Sequence, residues 1–138
     1  MHNCDLLVIS CIDFRFQEHL RNFLEKDHKG NYDLVCIAGS AKNFISGSEA
    51  DKETVLKQVK ISKELHHIKK VFLINHQNCG AYGNDLVSGS SEEKQTHMKD
   101  LIGAKEDLIK VFPDLEICLY FIEFETEPIT TTRFAPVP

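Results

Sequence analysis

Val71-Phe72-Leu73-Ile74-Asn75-His76-Gln77-Asn78-Cys79-Gly80 is an apolar run that breaks off in a histidine, a cysteine and a glycine. A short continuous apolar stretch bounded by turn residues reads as a strand buried on both faces. The same shape stands near the N-terminus, where Leu6-Leu7-Val8-Ile9-Ser10 runs into Cys11 and then Ile12-Asp13-Phe14-Arg15. Both runs therefore deliver metal-binding residue types where a strand ends: Cys11 after the first, His76 and Cys79 after the other.

Outward from these runs the chain alternates. Phe16, Leu20, Phe23 and Leu24 recur at helical spacing, Leu34 to Ala38 reads as a second strand, and Gly39 to Ser48 is a Gly/Ser-rich loop. Ser48 and Asp51 have the spacing of a capping box and open a helix from about Asp51 to His67, with Val55, Leu56, Val59, Leu65 and Ile68 facing the core. Beyond Cys79, a small-residue loop from Gly80 to Ser91 leads to a helix traced by Met98, Leu101, Ile102, Leu108, Ile109 and Phe112 and ended by Pro113. Leu115 to Phe124 is the fourth strand. Glu127 to Pro138, with its prolines and threonines, predicts an irregular tail.

This alternation predicts an α/β fold in a single domain over residues 1–138: a four-stranded, mainly parallel sheet in the order 2-1-3-4 with helices on both faces, a Rossmann-like three-layer arrangement. In such sheets ligands bind beyond the carboxyl ends of the strands at the switch point, here between the first and third. Cys11, His76 and Cys79 all fall there.

Composition narrows the function classes. With 138 residues, 42% hydrophobic and 27% charged, the chain can bury a real core. A formal net charge of -5 with scattered Lys and Arg argues against nucleic acid as a partner. No run approaches the roughly 18 apolar residues of a membrane span, and no export signal is recognisable, so the expectation is a cytoplasmic protein with no membrane partner. Five cysteines are an odd count, which in that setting points to reduced thiols or metal ligands.

Two cysteines and a histidine form a soft donor set suited to Zn2+, and three protein ligands leave a fourth position for water, as in a catalytic rather than a structural site. Asp13 and Arg15 alone would read as a surface ion pair of little energetic value. Beside Cys11 they read as functional, because Arg15 offers a charged fork to the Asp13 carboxylate. Cys4, Cys36 and Cys118 read as core filler, His66 and His67 as helix caps, and His19, His28 and His97 as solvated. Cys79 has no Cys-x-x-Cys partner, which weakens a thiol redox reading.

The pattern Cys11-x-Asp13-x-Arg15 followed by His76-x-x-Cys79-Gly80 resembles the zinc-site signature of the β-class carbonic anhydrases, and Ala38-Gly39 resembles the Ala-Gly loop of that family. The resemblance implies reversible hydration of carbon dioxide to bicarbonate, with Cys11, His76 and Cys79 as zinc ligands. It further implies that Asp13 either takes the fourth zinc position or pairs with Arg15. Phe14, Phe44, Ile45 and Tyr82 are the expected pocket walls, and backbone N–H groups near Gly39 and Gly80 the expected donors to a developing oxyanion. The family builds its site at a subunit boundary, so a homodimer or higher even oligomer is expected, with the 127–138 tail as a contact surface.

The chain also departs from the family pattern. It starts close to its first strand, without the family's N-terminal helices or upstream substrate-binding Gln, and has Cys36-Ile37 and Asn75 where the family tends to have Arg-Asn and Gly. Two other functions therefore stand beside hydration. One is hydrolysis of carbonyl sulfide or carbon disulfide, and the other is a zinc-binding module without catalysis.

Overall fold

The computed structural model describes residues 2–138. Five strands form one sheet: β1 (Leu6–Ser10), β2 (Tyr32–Cys36), β3 (Lys70–His76), β4 (Glu116–Glu123) and β5 (Arg133–Val137), in the order β2-β1-β3-β4-β5. The first four are parallel, with Leu6 opposite both Tyr32 and Lys70, and β5 runs antiparallel to β4. The helices are α1 (Gln17–His28), α2 (Lys42–Ile45), α3 (Glu49–His66) and α4 (Ser91–Val111).

The inner strands β1 and β3 are apolar on both faces because both are covered. Leu6, Val8, Phe72 and Ile74 pack on Phe16, Leu20 and Leu24 of the α1 side. The alternate residues Leu7, Ile9, Val71 and Leu73 pack on Val55 and Val59 of α3 and Leu101, Ala104 and Leu108 of α4. Strand periodicity thus assigns successive residues of the same run to two separate cores. The α3 start has the expected capping box, with Ser48 Oγ accepting from the Asp51 N–H and the Asp51 carboxylate accepting from the Ser48 N–H.

Two expectations are corrected. The sheet has a fifth strand, because Arg133–Val137 of the supposedly irregular tail pairs with β4. An edge strand has one side that needs no N–H, so Pro136 is tolerated there. Ala135 and Val137 turn inward, and Phe134 stacks on Phe23 with ring centroids 4.1 Å apart. The Gly39–Ser48 segment also contains a single helical turn, α2, which drives Phe44 into the core at 3% exposure.

Candidate metal centre

Because β1 and β3 are parallel neighbours in register, the segments leaving their carboxyl ends emerge side by side. Cys11 follows β1, His76 ends β3, and Cys79 returns on the turn before a 3-10 segment at Gly80–Tyr82. All three are buried, the two sulfurs are 3.9 Å apart, and the donor atoms of the trio lie within 4.8 Å of one another. They are close enough to hold a single metal ion.

Local bonding sets the chemistry of each donor. His76 Nδ1 lies 2.7 Å from the Gln77 carbonyl, an acceptor only, so Nδ1 carries the proton and donates. Its Nε2 keeps a lone pair, is buried, and has no hydrogen-bond partner among the described residues. The Phe16 ring packs against the imidazole at 4.4 Å between centroids. A hydrogen bond from Cys79 lowers the Cys11 thiol against the effect of burial, helped by His76 and by the Gly39 N–H at 3.4 Å. The same contact, together with burial, pushes Cys79 up. Two buried sulfurs beside an orphaned imidazole nitrogen fit the donor chemistry of zinc.

A polar clamp joins the two ligand-bearing loops. Burial opposes ionisation of Asp13, but Arg15 outweighs it and holds the carboxyl below the usual carboxylate range. Arg15 grips both oxygens, Nη2 to Oδ2 at 2.7 Å and Nε to Oδ1 at 3.1 Å, and donates to Asn78 Oδ1 and the Asn78 carbonyl at 3.0 and 2.9 Å. Asp13 Oδ2 stands 3.7 Å from His76 Nε2. Asn78 sits between His76 and Cys79 with φ 58°, a left-handed conformation that asparagine tolerates better than most residues. Its N–H donates to Glu93 Oε2 at 2.8 Å, and Glu93 Oε1 accepts from Gly89 N–H.

A family model described as "Putative carbonic anhydrase" matches residues 1–131. The chain belongs to that family. Its fold is similar to that of the Coccomyxa beta-carbonic anhydrase solved in complex with acetazolamide, with a TM-score of 0.56 and 12% identity, covering 99% of this chain and 74% of that one. A beta-carbonic anhydrase from Sordaria macrospora, described as tetrameric, gives 0.53 and 12%, with coverage of 97% and 81%. An uncharacterized protein of Rickettsia conorii is 26% identical over 132 residues, 88% of this chain and 69% of its own length. Another, from Rickettsia bellii, is 23% identical over 128 residues, 88% and 78% respectively.

In this carbonic anhydrase family member, a cleft of about 620 Å³ opens over Cys11 and Cys79 and is lined by Asp13, Phe14, Arg15, Gly80 and Tyr82, all expected at the site. Gly39 lies behind Cys11, to whose sulfur its N–H points. Phe44 and Ile45 do not line the cleft; Phe44 fills the core, and Ile45 meets Gly103 of α4. His97, expected in solvent, is fully buried behind the site. Its Nδ1 lies 2.9 Å from Asn75 Nδ2, which also donates to Tyr82 Oη, while Asn75 Oδ1 accepts from the Ala41 N–H. Tyr82 Oη in turn donates to Asp100. Cys36, expected in the core, is exposed at the end of β2.

The sequence reading missed Glu93, Asn78, Asn75 and His97. The signal for Glu93 was Ser90-x-x-Glu93, a capping pattern opening α4. Ser90 does cap the Glu93 N–H, while the carboxylate is taken up by the loops. No helix among the described residues is long and apolar enough to cross a membrane.

Proposed function

We propose that this protein is a zinc-dependent enzyme of reversible carbon dioxide hydration, with Cys11, His76 and Cys79 holding the ion and Asp13 and Arg15 acting beside it. The observation carrying this reading is the buried, unpartnered Nε2 of His76, fixed as a lone-pair donor and grouped with the two buried sulfurs of Cys11 and Cys79. Zinc held there would supply Lewis acidity, lowering the pKa of a water so that it can attack an electrophilic carbon.

The side chains do the rest. Arg15 holds the Asp13 carboxylate in a bidentate grip and ties it to the loop carrying Cys79, which restrains that carboxylate from joining the ligand set. The Gly39 N–H stabilises the Cys11 thiolate. Phe16 closes the back of the imidazole, and Ile12, Phe14 and Leu86 give the cleft apolar walls suited to an uncharged linear substrate.

Two features support assembly as a homodimer or higher even oligomer. Phe14 is 86% exposed and Ile12 58% at the cleft mouth, an arrangement that a second copy would cover, and the Sordaria neighbour is tetrameric. Five free thiols support a reducing, cytoplasmic setting.

Stopped-flow carbon dioxide hydration on zinc-quantified protein tests the reading. Wild type should carry one zinc at this site and turn over faster as pH rises from about 6 to about 9, and Cys79→Ser should lose the zinc of this site together with the activity. Fully loaded wild type at the buffer rate would leave a non-catalytic zinc module, and parallel assays with carbonyl sulfide and carbon disulfide would expose a hydrolase.

A further inference from the structure

A second group of metal-ligating side chains lies at the other end of the sheet. Cys4 precedes β1, Asp33 is the second residue of β2, and His66 is the last residue of α3. Thiol, carboxylate and imidazole donors fall within 4.8 Å of one another. We propose that Cys4, Asp33 and His66 form a second site, independent of the first, for a thiophilic divalent cation of the zinc class.

The three segments that meet here are already fastened by backbone. The Cys4 N–H donates to the His66 carbonyl at 3.0 Å, the Asp5 N–H to the Asn31 carbonyl at 3.3 Å, and the Lys69 N–H to the Asp5 carbonyl at 3.2 Å. Asn3 Oδ1 lies 2.9 Å from His67 Nδ1, so the lead-in is also held by a side chain just ahead of the thiol. Cys4 therefore sits on an anchored segment, and a cation would find its donors in place instead of having to gather them.

Without a cation, the Cys4 thiol donates to the Leu6 carbonyl at 3.6 Å, and Asp33 and His66 hold each other. Asp33 Oδ2 is 2.7 Å from His66 Nδ1 and accepts from Ser62 Oγ at 2.5 Å. Burial and the neighbouring Asp33 charge push the Cys4 thiol up, so it holds its proton. When the cation enters, that proton leaves to solvent, the imidazole proton moves to Nε2, and Nδ1 becomes a donor to the metal. One thiolate and one carboxylate then neutralise the two positive charges, and Ser62 stays on Asp33 to orient it.

A mixed sulfur, nitrogen and oxygen set selects zinc over calcium or magnesium, which prefer oxygen alone. The side chains of Asp33 and His66 are 29% and 34% exposed, which leaves an entry path and room for water in the fourth position. The His2 ring, 6.4 Å from that of His66, is a further donor within reach of the site. Such an ion would clip the N-terminal lead-in to β2 and α3.

The full chain, stripped by chelator and reloaded with Zn2+, tests this by equilibrium dialysis beside Cys4→Ser and His66→Ala, with Cys4 alkylation followed by mass spectrometry. Two equivalents are expected in wild type and one in each variant, with hydration unchanged in both. Zinc should slow Cys4 alkylation about tenfold or more and leave exposed Cys36 unaffected. Stoichiometry that Cys4→Ser does not reduce, or a Cys4 alkylation rate indifferent to zinc, overturns the proposal. Were the Cys11 site not to bind zinc, wild type would take one equivalent that Cys4→Ser abolishes, so failure of either site reads separately.

Discussion

One backbone carbonyl decides which nitrogen of His76 is free, and the neighbouring side chains decide what reaches it. Arg15 matters most here, since it is the group that turns the Asp13 carboxylate away while that carboxylate remains only 3.7 Å from Nε2. Charge-assisted hydrogen bonds of this kind contribute about 1.5–3 kcal/mol. Arg15→Ala should therefore lower hydration about tenfold or more while zinc content by elemental analysis stays constant; an unchanged rate would make Arg15 purely structural. His97 gives a pH signature. Burial holds it down to about 4, and its Nδ1 is occupied by the Asn75 amide. Below its ordinary value near 6.5 the unfolded chain takes up a proton that the folded chain refuses, so the stability present above about pH 6.5 is lost as pH falls towards 4. The full effect is about 3 kcal/mol, and urea denaturation between these pH values should show a shallower slope in His97→Phe than in wild type. The grouping of Cys11, His76 and Cys79 was legible in the sequence because ligand types stand where apolar runs stop. His97 was not, since burial of a lone histidine on a helix depends on Tyr82 and Phe121, which nothing local announces.

At the scale of elements, α4 does more than cover the sheet. Its first turn sends Glu93, 2% exposed, into the loop after β3, where one carboxylate accepts from both Asn78 and Gly89. Glu93→Ala would leave both N–H groups short of an acceptor, at a cost of about 1–3 kcal/mol. The loss should appear in denaturation midpoints together with weaker zinc retention against a chelator; lost stability with unaltered retention would show that Glu93 supports the fold and not the site. The parallel order of the first four strands followed from the alternation of strand and helix, because crossovers of that length permit little else. β5 did not follow, since Pro136 is a poor strand signal, and Phe134 settles there against Phe23, which lies far away in the sequence. The four-residue α2 was hidden for another reason: one turn is too short to display a helical period.

For the molecule as a whole, the exposed pair Ile12 and Phe14 at the cleft mouth is the feature a lone copy leaves unresolved. Burying a phenylalanine is worth about 2 kcal/mol, and a two-fold interface would count it twice. Phe14→Asp should halve the mass measured by light scattering and reduce hydration with thermal stability of the monomer intact; a variant that keeps the wild-type mass would place the interface elsewhere. The separation of Cys11 from Cys79, 68 residues along the chain, has a consequence for how the protein is made. At synthesis rates of about 5–20 residues per second, the second thiol trails the first by several seconds. Throughout that interval the nascent chain carries Cys11 with neither Cys79 nor His76 beside it. The newborn protein is thus open to oxidants and competing thiols at a position that the finished protein seals, and its yield in a cell should depend on how reducing the surroundings of the ribosome are.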